Sequence, residues 1–471
     1  MDHSADSAAI FAAQKAATPA RRLSFGLAAR RAALARLADT LDRYRPELLA
    51  ALAADLGKPE AEALVWEFLP LHNEISHARH HLGRWMRTRR AATSLTMLGT
   101  QARIRPEPRG VSLIIGPWNF PMMLTLGPLV SALAAGNAAF LKPSELTPAT
   151  SAVVARMLRE TFPADLVAVA EGGAELATRL LKLPFDHIFF TGSGAVGRIV
   201  MQAASRHLTP VTLELGGKSP VIVGPGADIA AAARHLVWGK FTNAGQTCVA
   251  PDHIFVHRSI EAALTQALTA EIARAFGATP EAIAASADYA RIVNDRHHAR
   301  LKALLDEAQA LGAQLIAGGQ SDAARRYLAP TLLKATTGTM RISHEEIFGP
   351  ILPIIAYDDL GAVIDRINAG PTPLALYVFD RAQAFADRII AATSSGTVGV
   401  NLNVVQFAHP NLPFGGVGAS GMGAAHGYEG FRAFSHFRPV LRNRFSALPL
   451  LFPPYGKRVT GMIRMLTRLV R

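Results

Sequence analysis

Cys248 is the only cysteine in 471 residues, so it has no intramolecular disulfide partner and no companion thiolates for a metal site. Two readings remain, a small buried hydrophobe or a reactive thiol. The neighbours favour the second. Asn243-Ala244-Gly245-Gln246-Thr247 precede it, small and polar where a packed apolar face would show Leu, Ile or Val. A free thiol has a pKa of about 8.5 and is mostly protonated at neutral pH. A nucleophilic role therefore asks the rest of the chain for a base, an oxyanion stabiliser and an electron acceptor.

Each has a candidate. Glu214, in Glu214-Leu215-Gly216-Gly217-Lys218, ends an apolar run one helix and its loops before Cys248. It could face the thiol across a cavity, cap a helix or pair with Lys218. Asn119, in Gly116-Pro117-Trp118-Asn119-Phe120-Pro121, could stabilise its turn through an Asx bond or aim an amide N–H at developing negative charge. Thr191-Gly192-Ser193-Gly194-Ala195-Val196-Gly197 is a G-x-G-x-x-G with a predicted strand before it and a helix after it, the context for a dinucleotide. That fingerprint wants an acid about 20 residues on, and Glu214 falls near that place. Spacing alone thus leaves Glu214 with two jobs. Glu345-Glu346-Ile347-Phe348-Gly349-Pro350 is too specific for a plain surface loop, and the glycine-rich stretch 413–423 suits a pocket wall or a subunit contact.

The elements that must position these groups alternate. Residues 7–57 and 60–89 are predicted as helix and 94–106 as a short hairpin. Apolar strands are predicted at 111–115, 138–141, 167–169, 187–190 and 211–213, with helices between them, which means a doubly wound parallel α/β sheet. After Cys248 the pattern repeats, with strands at 253–256, 315–316, 351–355 and 398–401 and helices at 260–276 and 294–311.

Length implies two or three domains. Half the residues are hydrophobic and 18% are charged, which fits a globular enzyme. No stretch approaches the roughly 20 apolar residues of a membrane span, and the start lacks a secretory pattern, so a cytoplasmic protein is expected. The net charge of +13 is concentrated late: no acid follows Glu429, while basic residues run from Arg432 to Arg471. The body is near neutral, which argues against nucleic-acid binding. In the tail, Val459, Met462, Ile463, Leu466, Leu469 and Val470 share one face of a predicted basic helix. That helix could dock on the protein or lie on an anionic membrane. His77, His80 and His81 lack acidic companions at ligand spacing; a solvated face, not a metal site, is expected.

Together these residues make the chain, from about residue 20 to about 440, resemble the NAD(P)-dependent aldehyde dehydrogenases. The resemblance rests on seven motifs in order: 116–121, 142–145 (Lys142-Pro143-Ser144-Glu145), 190–193, 214–217, 245–248, 345–350 and 413–416. The short N-terminal region and early cysteine are similar to the class 3 branch, whose members are typically dimers. Residues 73–86 and Pro453-Pro454-Tyr455-Gly456-Lys457 most resemble coniferyl aldehyde dehydrogenases.

The resemblance implies a nucleophile at Cys248, an oxyanion site from Asn119 and the Cys248 N–H, and a deacylation base at Glu214. It puts Lys142 and Glu145 at the adenine ribose, Ser193 at the pyrophosphate and Glu346 at the nicotinamide ribose, with Phe348 nearby; Trp118, Gly192 and Gly197 join the cofactor-binding set. The ribose acid then comes from Glu145, which frees Glu214 for the base. NAD is the expected cofactor, with NADP open, and the substrate an aromatic aldehyde, with a long-chain fatty aldehyde at a membrane surface as the alternative. Residues 1–90 and 106–214 would form the dinucleotide-binding domain and 215–402 the catalytic domain. Segments 91–105 and 403–440 would bridge subunits of a homodimer, and 441–471 would be a basic amphipathic tail. One departure is His253, where class 3 relatives usually carry Tyr after Pro-Asp.

Overall fold

The computed structural model describes residues 3–446 and 448–469. Five buried apolar runs form the parallel part of a six-stranded sheet. Its spatial order is Gly421–Met422, Val211–Glu214, His187–Thr191, Val111–Ile115, Ala138–Lys142, Val167–Val169. Only Gly421–Met422 pairs antiparallel, against Val211–Glu214. The runs are apolar without alternation because strands of a parallel sheet are covered on both faces. Val111–Ile115 lies between Ala138–Lys142 and His187–Thr191, so the strand order reverses beside it. Loops leaving neighbouring strands at such a switch point diverge and open a crevice beyond their carboxyl ends. Those loops carry Asn119 and Gly192–Gly197.

At Glu214 the chain leaves this sheet and, through residues 215–219, enters Pro220–Val223 of a second, seven-stranded sheet. Its order is Gln314–Ala317, Thr331–Lys334, Ile351–Tyr357, His253–His257, Pro220–Val223, Ala375–Phe379, Thr397–Val400, parallel except at Gln314–Ala317. Glu214 and the Cys248 loop thus sit where the two sheets meet, one at the end of each.

Several expected elements come out differently. The single run expected over 7–57 is four helices, His3–Ala16, Thr18–Ser24, Leu27–Arg43 and Arg45–Leu56. Pro19 and Pro46 occupy first-turn positions, where proline starts a helix but cannot continue one, and Gly26 caps the third. Gly57 then closes the last in the left-handed region at φ 56°. The second run ends at Trp85 rather than at residue 89, because Arg89–Arg90 is drawn into a strand. The expected hairpin over 94–106 is instead the strand Thr100–Pro108, paired briefly with Arg89–Arg90 and along its whole length with Ser435–Asn443. Its main partner is more than three hundred residues away, beyond any local pattern.

The tail forms the helix Lys457–Leu469, whose neighbour in the chain and main contact is the turn Leu448–Leu451. Val470 and Arg471 lie outside the described residues.

Candidate active site

The helix Ile229–Phe241 stops before a turn in which Asn243 (φ 51°), Ala244 (φ 52°) and Gly245 (φ 74°) are all left-handed. For a non-glycine residue this conformation costs about 1–2 kcal/mol, so the turn needs support, and polar residues supply it. The Asn243 N–H donates to Glu62 Oε2 (2.9 Å) and its amide Nδ2 to Asn119 O (2.9 Å). Gln246 Nε2 donates to Asn243 O (2.8 Å) and Arg291 O (3.0 Å), while its Oε1 accepts from the Val293 N–H (3.0 Å). A Cβ on Gly245 would lie 2.3 Å from Gly349 O. The small polar run before Cys248 is therefore the material of a strained turn, locked against the loops of Asn119 and Phe348. Behind it, the Tyr377 hydroxyl donates to Val249 O at 2.5 Å.

The Asn119 loop has its own support, formed by residues that no local motif marks. Lys58 and Glu67 make a fully buried ion pair at 2.6 Å. Lys58 Nζ also donates to Asn119 O (3.0 Å) and lies 4.3 Å from the Phe120 ring centroid. Glu67 Oε2 accepts from the N–H groups of Met122 (3.0 Å) and Met123 (2.9 Å), the start of the helix Met123–Ala135. A negative charge at a helix start is favourable. Asn119 Nδ2 donates to Gln246 O at 3.0 Å. An amide NH2 carries two protons, so this bond leaves one for another acceptor.

Cys248 and Glu214 line one narrow cavity of about 30 Å³, a water-sized space. Met123, Leu124, Phe189, Leu374 and Phe414 form apolar walls; Ser131, Thr191 and His426 supply the polar points. Neither carboxyl oxygen of Glu214 has a hydrogen-bond partner among the described residues, and burial pushes its pKa well above the usual carboxylate value. The alternative pairing with Lys218 is not formed. Lys218 instead pairs with Asp252. Burial pushes the Cys248 thiol up to about 12, with Glu346 and Glu214 adding to it, while the N–H groups of Cys248 and Val249 oppose the rise.

Of the residues expected at a cofactor, Trp118, Lys142, Glu145, Gly192, Ser193 and Gly197 lie at or just past the carboxyl ends of strands of the first sheet, and Glu346 and Phe348 lie in the loop before Ile351–Tyr357 of the second. A Cβ on Gly192 would lie 2.6 Å from the Phe190 ring, and one on Gly197 2.8 Å from Leu215 Cδ2. These glycines let the helix Gly194–Ser205 start close against its strand. Ser193 caps it, its Oγ accepting from the Val196 N–H at 3.4 Å. The free N–H groups of such a first turn suit a pyrophosphate. Lys142 is buried and donates to Glu145 Oε2 at 2.9 Å. Burial works against the Glu145 carboxylate, but the Lys142 ammonium, the Glu145 N–H and the Arg296 charge together outweigh it and hold the carboxyl below its usual range. Glu346 lies against Gly216, where a Cβ would come within 2.4 Å of both its oxygens, and accepts from the Gly217 N–H. Burial raises its carboxyl to about 7. The Phe348 ring meets Trp118 edge-on at 5.2 Å, and Trp118 packs on His297 at 4.9 Å. A phosphate-ready helix start, an ionised acid and a glycine-lined approach fit a dinucleotide.

Sequence reasoning missed Lys58, Glu62, Glu67 and Asp252. Asp252 takes the Ile347 N–H on Oδ2 (2.9 Å) and Lys218 on Oδ1, tying the Cys248 loop to the Glu346 loop. Its place directly after the thiol motif was a usable signal; the others show none before the fold brings them together.

The model of the aldehyde dehydrogenase family matches residues 2–440. A Staphylococcus aureus protein named 4,4'-diaponeurosporen-aldehyde dehydrogenase is 45% identical, over 90% of this chain and 92% of its own. Mouse aldehyde dehydrogenase family 3 member A2 is 46% identical, over 87% and 83%. A Caulobacter vibrioides protein named "Probable coniferyl aldehyde dehydrogenase" is 42% identical, over 90% and 89%. The solved substrate-bound state of Staphylococcus aureus AldH superposes with a TM-score of 0.92 at 42% identity, covering 97% of this chain and 98% of that one.

Proposed function

The chain belongs to the aldehyde dehydrogenase family, and from that premise we propose that it oxidises an aldehyde with an apolar body to the carboxylic acid through a thioester on Cys248, with reduction of NAD(P). The observation that carries this is the shared cavity, apolar-walled and lined by both the thiol and a buried carboxyl that has no hydrogen-bond partner among the described residues.

Cys248 loses its proton to solvent, and the thiolate Sγ attacks the aldehyde carbon as the carbonyl electron pair moves onto oxygen. The Cys248 N–H and the remaining Asn119 N–H stabilise the resulting oxyanion. The bound dinucleotide supplies the hydride acceptor and a positive charge that would lower the thiol pKa. Loss of hydride converts the thiohemiacetal to a thioester. Glu214, once ionised, takes a proton from water, the water oxygen attacks the thioester carbonyl, and the acid leaves as the thiol is restored. Lys142 and Glu145 would hold the adenine ribose, Ser193 and the helix start the pyrophosphate, and Glu346 the nicotinamide ribose, with Trp118 and Phe348 near it. An ionised Glu145 would repel a 2′-phosphate, which favours NAD over NADP.

Two substrate readings share the apolar walls. The coniferyl aldehyde-like reading draws on the Caulobacter relative and on the polar points Ser131, Thr191 and His426. The long-chain reading draws on the tail. In the helix Lys457–Leu469, Ile463 and Met465 are exposed, as are Leu450, Phe452 and Tyr455 before it, among basic residues with no acid after Glu429. Among the described residues no helix is long and apolar enough to cross a membrane. In this reading the basic amphipathic tail would lie on an anionic surface, and the protein would work as a cytoplasmic enzyme held there. We assign 1–90 with 106–214 to the cofactor half and 215–402 to the catalytic half, following the two sheets. Segments 91–105 and 403–440 bridge a homodimer. The uncovered edge strand Ser435–Asn443, with Leu441 exposed, supports the dimer.

The test is NADH or NADPH formation with coniferyl aldehyde, benzaldehyde, hexanal and a long-chain aldehyde. The highest kcat/KM for coniferyl aldehyde with NAD is the expected result. Preference for the long chain moves the substrate to lipids, and absence of turnover with all four removes the catalytic reading.

A further inference from the structure

A second cavity, of about 310 Å³, lies beneath the second sheet, at the amino ends of Pro220–Val223 and His253–His257. It contains neither Cys248 nor Glu214, and its size falls at the lower end of small-molecule sites, about 300–1,000 Å³. Its walls are largely apolar: Phe255, Ile342, Ile355 and Ile367, with prolines at 353, 371 and 373. The titratable groups on it are Lys218, His253, His344 and Arg366; no acid is among them.

These four are not equivalent. Lys218 is committed, its three protons shared among Asp252 Oδ1, Ile342 O (2.8 Å) and Glu345 O (2.9 Å). His253 turns Nδ1 to Asp252 and packs its ring edge-on against Phe255 at 5.0 Å. His344 meets Gly338 O. Arg366 has no ion-pair or hydrogen-bond partner among the described residues; its guanidinium lies over the Phe255 ring, 5.4 Å from the centroid. Arg366 is exposed to solvent, so the cavity presents at its open side one cation without a protein counter-charge, beside an apolar chamber. That is the complement of a small monoanion with an apolar body, and a planar fork of N–H donors selects a carboxylate above other anions of that charge.

The wall has a second property. Ile342, Ser343 and His344 belong to the segment that continues into Glu346 and Ile347. Lys218 and Asp252 clamp that segment at Ile342, Glu345 and Ile347. A molecule in the cavity therefore packs on the back of the loop whose front holds Glu346 against Gly216.

We propose that this cavity is a second ligand site, taking an apolar monocarboxylate on Arg366, and that its occupancy alters dinucleotide affinity through the Lys218–Asp252 clamp. The coupling rests on the role of Glu346 in cofactor binding given above; the binding itself does not. The His253 departure from the class 3 pattern falls on this wall.

The probes are decanoate and benzoate, titrated calorimetrically into the full chain without aldehyde or dinucleotide. Either should bind, and Arg366→Gln should weaken binding about tenfold or more, with an unchanged melting temperature and unchanged turnover in the absence of acid. Arg366→Lys, which keeps the charge and loses the fork, should fall between. No binding at millimolar probe overturns the site. Binding that survives Arg366→Gln shows that Arg366 does not hold the acid and also overturns the site. For the coupling, decanoate should shift the KM for the dinucleotide in the wild type and not in Arg366→Gln; an unchanged KM in both overturns that part. Aldehyde turnover is read separately, so failure here leaves the aldehyde oxidation reading standing.

Discussion

Glu214 carries opposing demands. It is buried and has no hydrogen-bond partner among the described residues, which favours its neutral form, yet it acts as a base only when ionised. Two outcomes follow at the scale of the residue. Acid release should accelerate as pH rises, because the raised pKa leaves the base protonated at low pH; a pH profile of kcat checks this. Stability should run the other way. A carboxyl with a raised folded pKa binds its proton more tightly folded than unfolded. The stability tied to that proton is full below the unfolded pKa, about 4.3, and is lost as pH rises through the folded value. Glu214→Gln removes the loss, so it should melt above the wild type at neutral pH, with the gap closing near pH 4. Cys248 and Glu214 were legible in the sequence because each sits in a short run whose glycines and amides are needed locally. The thiol turn needs Asn243, Gly245 and Gln246 within a few residues of Cys248, and the sequence writes them there.

Elements were legible where their pattern is local and obscure where their partner is remote. The buried parallel strands read as apolar runs, and the G-x-G-x-x-G read as a strand-to-helix turn. The strand Thr100–Pro108 did not announce Ser435–Asn443, and Lys58 did not announce Glu67 or Asn119. The Lys58–Glu67 pair shows what such remote contacts do: it fixes the Asn119 loop to the start of the helix Met123–Ala135. Removing one member of a buried pair strands the other charge. Lys58→Met should cost about 3–5 kcal/mol of folding stability, measured by denaturant unfolding, and should lower kcat through the displaced Asn119. A loss below 1 kcal/mol would mean that the pair does not hold this loop.

At the scale of the whole molecule, the charge is divided: a nearly neutral body and a basic end. The +13 net charge therefore bears on where the protein sits rather than on what it catalyses. Deleting residues 446–471 should abolish sedimentation with phosphatidylserine-containing vesicles and leave kcat on a water-soluble aldehyde unchanged. Binding by the intact chain should weaken with salt as the charges are screened. If the intact chain ignores anionic vesicles at low salt, the tail has another role.

In the proposed mechanism labour is divided within one cavity, Cys248 forming the thioester and Glu214 releasing it. Stopped-flow measurement of NADH formation by Glu214→Gln tests this division most directly. The expected trace is a burst of about one NADH per active site followed by a stall, with the acyl group still on Cys248 by mass spectrometry. Steady turnover at the wild-type rate would remove Glu214 from acid release.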